Sequence, residues 1–307
     1  MPLPLNPPLH GLVVPPHTPF HPDGSLNLGA VEKQAAHLIK NKVGVVFVAG
    51  STGESTSLSL NERLALTQRW VEVARGTPLR VVVHVGSNCL DDACALATHA
   101  EQLGVAAVAA LSPSYFKPRT VDVLVSCAAQ IAASAPRTPF YFYDIPVLTG
   151  VNLSMSDFLE RAHDRIPTLS GLKFTNVDLA AYQFCLRANG GVWDLPWGVD
   201  QHYLGALAMG AKGAVGSSYN YAAPVYHRLM DAFAKGDMTT AREAQFQGTR
   251  TLRLMHSYGA IAAAKATMKM LGVDVGTARL PNENLSDEQQ RKLRADLEAM
   301  GFFDWIA

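Results

Sequence analysis

Ser170-Gly171-Leu172-Lys173-Phe174-Thr175 is a short apolar stretch with one lysine near its carboxyl end, where packing gives a charge no purpose. Alone, a lysine in a strand reads as an edge residue with its amine in water. Two other stretches of the same build change that reading. Pro139-Phe140-Tyr141-Phe142-Tyr143 ends in a tyrosine followed by Asp144-Ile145-Pro146, and Val45-Val46-Phe47-Val48-Ala49 runs into Gly50-Ser51-Thr52-Gly53-Glu54. Three strand ends therefore offer an amine, a phenol and a glycine turn that carries hydroxyls.

Continuous apolar runs separated by helical segments signal parallel strands covered by helices. Working outward, strands are expected at 11–15, 44–49, 80–85, 105–111, 140–143, 170–175, 193–198 and 213–216. Between them lie amphipathic patterns. Asn27 is placed to cap a helix whose apolar face holds Val31, Ala35, Leu38 and Ile39. Ser59 and Glu62 have capping-box spacing. Ser154 precedes a helix at 155–162, and Gly104 closes one at 91–103. Eight such units fit a closed (β/α)8 TIM barrel over residues 11–235 better than a doubly wound sheet, and no G-x-G-x-x-G opens any helix. Residues 236–307 read as a C-terminal helical extension with helices over 239–256, 260–271 and 286–300, and residues 1–10 as a flexible N-terminal arm.

A barrel of this kind works at the carboxyl ends of its strands, and Ser51, Thr52, Tyr143, Lys173, Thr175, Asp200 and Ser217 all fall there. Their chemistry converges. A lysine shielded from water loses its proton readily, and the neutral amine attacks a ketone to give a Schiff base that drains electrons from the neighbouring carbon. A phenol beside it moves protons. Glycine turns with hydroxyls and free N–H groups hold a carboxylate. The implied substrate is a 2-oxo acid, and the lysine itself is the electron sink, so neither a metal nor an organic cofactor is expected.

Composition narrows the class. Lys+Arg and Asp+Glu each number 26, for a formal charge of zero, which argues against nucleic acid or a membrane surface as partner. Hydrophobic residues make up 48%, in runs too short for the roughly 18 to 20 apolar residues of a membrane span. Cys89, Cys94, Cys127 and Cys185 lack C-x-x-C spacing and suggest neither a zinc site nor a disulfide framework. The amino terminus has no positive segment and no apolar helix of a secretory signal, so a cytoplasmic protein is expected.

Five motifs in order, Gly50-Ser51-Thr52-Gly53-Glu54, Tyr143-Asp144-Ile145-Pro146 with Leu148-Thr149-Gly150, Gly171-Leu172-Lys173-Phe174-Thr175, Gly198-Val199-Asp200 and Gly216-Ser217-Ser218-Tyr219-Asn220, resemble the N-acetylneuraminate lyase and dihydrodipicolinate synthase family of class I aldolases. The resemblance runs from Gly11 to about Pro281 and is nearest to the N-acetylneuraminate lyase branch. It implies that Lys173 is the Schiff-base lysine and Tyr143 the proton-shuttling tyrosine. It further implies that Ser51 and Thr52 bind the pyruvate carboxylate, and that Thr175, Gly198, Asp200, Gln201 and Ser217 hold the hydroxylated tail of a sialic acid. Tyr115 matches a tyrosine that in relatives reaches a neighbouring subunit's site, and the family's common homotetramer is the expected assembly. The reaction implied is reversible cleavage of N-acetylneuraminate to N-acetylmannosamine and pyruvate.

Two positions separate the branches. Dihydrodipicolinate synthases place a carboxylate-gripping arginine where this chain has Leu148, and a leucine binds no carboxylate. Lyases usually follow Gly-Val-Asp with glutamate, and here Gln201 keeps an acceptor but loses the charge. Aldol or dehydratase chemistry on another 2-oxo sugar acid is therefore the alternative, and a barrel that binds 2-oxo acids without turnover is a third. Other polar residues read structurally: His84 at a strand end, Asp91 and Asp92 as helix-terminal charges, Asp144 as a loop cap, Glu54 as a brace for its turn, and Phe246 and Tyr258 as packing in the extension.

Overall fold

The computed structural model describes residues 7–307. Seven strands, β1 (Gly11–Val14), β2 (Val45–Val48), β3 (Arg80–His84), β4 (Ala107–Leu111), β5 (Phe140–Asp144), β6 (Leu169–Phe174) and β7 (Gly213–Val215), pair in parallel in the order β6-β5-β4-β3-β2-β1-β7. Each is followed by at least one helix, and the sheet curls into a (β/α)8 barrel.

The eighth wall is where expectation and structure differ. Residues 193–198 are extended but form isolated bridges rather than a strand: Asp194 to Gly171, and Trp197 to both Phe174 and Ala214. The main chain still closes the ring, because Asp194 N–H donates to the Ser170 carbonyl, Gly198 N–H to that of Phe174, and Trp197 N–H to that of Gly213. Between Asp194 and Gly198, the residue due to donate to the Leu172 carbonyl is Pro196, which has no N–H. The ladder breaks there, and the expected seventh strand becomes a seam.

Alternation along the strands sorts side chains into two cores. Val13, Val45, Phe47, Val82, Ala107, Ala109, Tyr141 and Val215 fill the barrel, while Val46, Val48, Val81, Val83, Val108 and Phe142 face the helices. Both faces being buried is why these strands read as unbroken apolar runs. Of the arm expected over residues 1–10, residues 1–6 lie outside the described residues. Leu9 is buried against the barrel interior, and its N–H donates to Asp194 Oδ2 at 2.7 Å, the same oxygen that receives the Tyr141 hydroxyl at 2.6 Å.

Local signals act largely as read. Ser59 and Glu62 form a full capping box on the helix Leu60–Ala74, and Ser154 caps Met155–Ala162. Asn27 does not cap: its side chain makes no capping hydrogen bond, and a 3-10 turn, Leu28–Ala30, leads into the helix Val31–Lys40. The carboxyl-terminal helices Met238–Ser257, Ala260–Met270 and Asp287–Ala299 lean on the barrel, with Gln245 bonded to the Asp200 carbonyl and Lys265 to that of Thr18. Among the described residues no helix is long and apolar enough to cross a membrane.

Candidate active site

Parallel register sets the centre of the site. Lys173 stands opposite Tyr143 across the β5–β6 pair, and Tyr143 opposite Leu111 across β4–β5. Lys173 is 4% exposed, its Nζ 3.7 Å from the centroid of the Tyr143 ring and 4.4 Å from that of Phe47. Two ring faces stabilise an ammonium by about 0.5 to 2 kcal/mol each, but loss of water costs it more. Burial pushes the lysine pKa down to about 7, against a smaller upward pull from the Asp200 carboxylate. The amine is thus substantially neutral at neutral pH.

Tyr143 is equally buried, and its phenol lies 3.3 Å from the Ser51 hydroxyl. Burial pushes its pKa up to about 12, with the Ser51 and Thr175 hydroxyls favouring the phenolate. The Thr175 hydroxyl is itself buried without a well-formed hydrogen bond. It sits beside Gly198, where a Cβ would fall 2.0 Å from Thr175 Oγ1. Only glycine allows the seam to lie this close.

Ser51 and Thr52 occupy the turn after β2, bounded by two non-glycine residues in the left-handed region, Ala49 (φ 56°) and Glu54 (φ 55°). Such residues cost on the order of 1 to 3 kcal/mol each and persist only when their surroundings fix them. The fixing contacts are the Thr18 hydroxyl donating to the Gly53 carbonyl at 2.6 Å and Glu54 paired with Lys265 at 2.6 Å. Glu54 braces the turn, as its sequence context suggests.

Asp200, 5% exposed, opens a 3-10 turn after the seam, and its Oδ2 accepts from Ser218 N–H at 3.0 Å and Ser218 Oγ at 2.5 Å. Burial raises its pKa to about 6, and the two Ser218 hydrogen bonds and the Lys173 charge oppose the rise. Gln201 and Ser217, next in sequence to Asp200 and Ser218, are half-buried. The residues singled out from the sequence for the site all lie at or just after the carboxyl end of a strand or of the seam, Tyr115 after β4 among them. That residue is 77% exposed beyond β4, edge-to-face with Phe116 at 5.0 Å.

Sequence reading missed Phe47, which floors the lysine, while His84 is structural, as its place at a strand end suggests. The imidazole packs edge-on to Tyr143 at 5.7 Å; its Nδ1–H donates to the Ala49 carbonyl at 2.9 Å and its Nε2 accepts from Leu111 N–H at 3.4 Å. Burial and the neighbouring Arg63 keep it neutral. It ties the ends of β2 and β4 around the tyrosine. Asp144 points away from this centre, buried with Oδ2 unpartnered and its pKa raised to about 7 by burial. Phe246 is exposed, and Tyr258 donates to Asp296 on the helix Asp287–Ala299, so neither lines the mouth.

Residues 8–300 match the dihydrodipicolinate synthetase family. The chain is 37% identical to the N-acetylneuraminate lyase of Gallus gallus over 296 residues, covering 95% of this chain and 96% of that protein. Among solved structures it superposes on the N-acetylneuraminate lyase of Proteus mirabilis with a TM-score of 0.92 at 40% identity, covering 95% and 98% of the two chains. On the N-acetylneuraminate lyase (sialic acid aldolase) of Aliivibrio salmonicida it superposes with a TM-score of 0.92 at 42% identity, covering 95% and 97%. With the buried lysine, the phenol and the hydroxyl turn at one barrel mouth, these likenesses establish that the chain belongs to the dihydrodipicolinate synthetase family, on its N-acetylneuraminate lyase branch.

Proposed function

We propose that the protein is a Schiff-base aldolase that cleaves N-acetylneuraminate reversibly to N-acetylmannosamine and pyruvate. The observation that carries this reading is the dry Lys173 amine, 3.7 Å from the Tyr143 ring whose hydroxyl is 3.3 Å from Ser51.

In this reading the substrate carboxylate lies on the Ser51–Thr52 turn and the C2 ketone meets neutral Lys173. The carbinolamine expels hydroxide, which takes the Tyr143 proton and leaves as water, giving an iminium beside a phenolate. An isolated phenolate is unfavourable in so dry a place; a neighbouring cation compensates it. The phenolate then removes the C4 hydroxyl proton as the C3–C4 bond breaks and its electron pair enters the enamine. N-Acetylmannosamine departs, Tyr143 protonates C3, and water attacks the new iminium to release pyruvate and the free amine. Thr175, Gly198, Asp200, Gln201 and Ser217 surround the hydroxylated tail. The lysine is the electron sink, so the scheme calls on no metal or organic cofactor.

Exposed aromatic residues support a homotetramer, with Tyr115 and Phe116 covered by a second copy. The free thiols fit residence in a reducing cytoplasm. Gln201 favours a second reading, the same aldol or dehydratase chemistry on a related 2-oxo sugar acid. A synthase-like condensation finds no support in Leu148, an exposed leucine where a carboxylate would need a cation.

Pyruvate release from N-acetylneuraminate, with Lys173→Ala as control, tests the reading. Release lost in the variant is the expected result. No release by wild type, with pyruvate still trapped on Lys173 by borohydride, would move the substrate to another sugar acid. No trapping would end the aldolase reading.

A further inference from the structure

Asp200 is held from outside the barrel. Its Oδ2 takes the single proton of Ser218 Oγ at 2.5 Å. Tyr226 Oη lies 2.9 Å from that serine oxygen and is therefore the donor in the second link. Tyr226 is fully buried on the helix Tyr219–Ala234, and its hydroxyl abuts Gly248 of the helix Met238–Ser257. A Cβ at Gly248 would lie 2.6 Å from that hydroxyl oxygen and 2.8 Å from the ring carbon bearing it. Three residues earlier on the same helix, Gln245 Nε2 donates to the Asp200 carbonyl at 3.0 Å, while Gln245 Oε1 accepts from Leu204 N–H at 2.8 Å. One carboxyl-terminal helix thus grips the aspartate by its main chain and, through Tyr226 and Ser218, by its carboxylate.

We infer that Tyr226, Gln245 and Gly248 are positioning residues that fix the Asp200 carboxylate for the vicinal hydroxyls of the substrate tail. This rests on the reading above, in which Asp200 recognises that tail. With Oδ2 committed to two Ser218 donors, Oδ1 is the oxygen left for substrate hydroxyls. A buried carboxylate recognises hydroxyls strongly only while it stays ionised and fixed, and a donor chain that ends on it serves both needs. None of the three residues acts on the reacting carbons.

The test separates tail binding from chemistry. Tyr226→Phe keeps the ring and removes the donor behind the Ser218–Asp200 bond, so KM for N-acetylneuraminate should rise about tenfold, the effect of ~1.4 kcal/mol. The rate of borohydride trapping with pyruvate, which has no tail, should stay unchanged. Gly248→Ala should raise KM likewise, because its methyl would press on both the hydroxyl and the ring carbon that bears it. An unchanged KM in Tyr226→Phe, or an equal loss of trapping and cleavage, would overturn the inference. The wild type is its own control: cleavage by wild type with an unaltered variant retires only the positioning role, whereas no cleavage of N-acetylneuraminate by wild type retires both readings.

Discussion

Lys265 Nζ lies 2.6 Å from Glu54 Oε1 with both side chains about 1% exposed, joining a carboxyl-terminal helix to the turn that carries Ser51 and Thr52. Lys265 also donates to the carbonyls of Thr18 and Thr277, and Arg279 N–H donates to Glu54 Oε2 at 2.8 Å. Removing one partner of such a pair strands the other charge. Lys265→Met should lower stability by ~3 to 5 kcal/mol, visible in thermal unfolding, and raise KM for the 2-oxo acid as the strained turn relaxes. The double variant Glu54→Gln/Lys265→Met should recover much of the stability, since no lone charge stays buried.

The depressed lysine pKa fixes a pH dependence. Below about 7 Lys173 is protonated and cannot attack, and above it the amine is free. The initial rate of pyruvate trapping by borohydride should rise about tenfold per pH unit up to neutrality and then level off. A plateau that begins only near pH 10, the range of an ordinary lysine, would contradict the dry setting of the amine.

That same amine burdens the fold. Its folded pKa lies below the unfolded value of about 10.4, so between about pH 7 and 10.4 the unfolded chain binds more protons and stability rises with pH. Lys173→Met should therefore stabilise the protein, by ~2 to 4 kcal/mol at pH 7, and by less at pH 9. Melting curves at the two pH values check both size and sign.

Tyr143→Phe keeps the ring beside Lys173 and removes the hydroxyl that faces Ser51. A lost proton shuttle costs ~10²- to 10⁴-fold in kcat, and KM should change little. If kcat held, the shuttle would have to lie elsewhere.

Much of this is legible in the sequence. Both faces of the strands are buried, so they stood out as apolar runs, and a lysine at the end of one was conspicuous for lack of a packing reason. Phe47 was not visible in that way, because an apolar residue facing the barrel interior looks like one facing the helices until alternation assigns its side. His84 reads as structural at its strand end, but what it ties is not legible, because its bonds to the Ala49 carbonyl and the Leu111 N–H reach main chain distant in sequence. Residues 193–198 misled through composition: Trp193, Leu195 and Trp197 alternate like a strand, and the missing proton of Pro196 turns them into a seam. Gln245, Gly248 and Tyr226 were out of reach, since their role depends on where a distant helix lands.

The rings of Phe47 and Tyr143 meet at 80° and form a corner over Lys173. An amine in a corner can be approached from few directions. In the proposed reaction an imine formed there would have aromatic walls against part of its surface and the mouth of the barrel open to the rest. In the synthetic direction the aldehyde can meet the enamine only from the open side. The two aromatic side chains then decide which face of the enamine the aldehyde meets, and enlarging the corner with Phe47→Ala would open the second face before it slowed the chemistry.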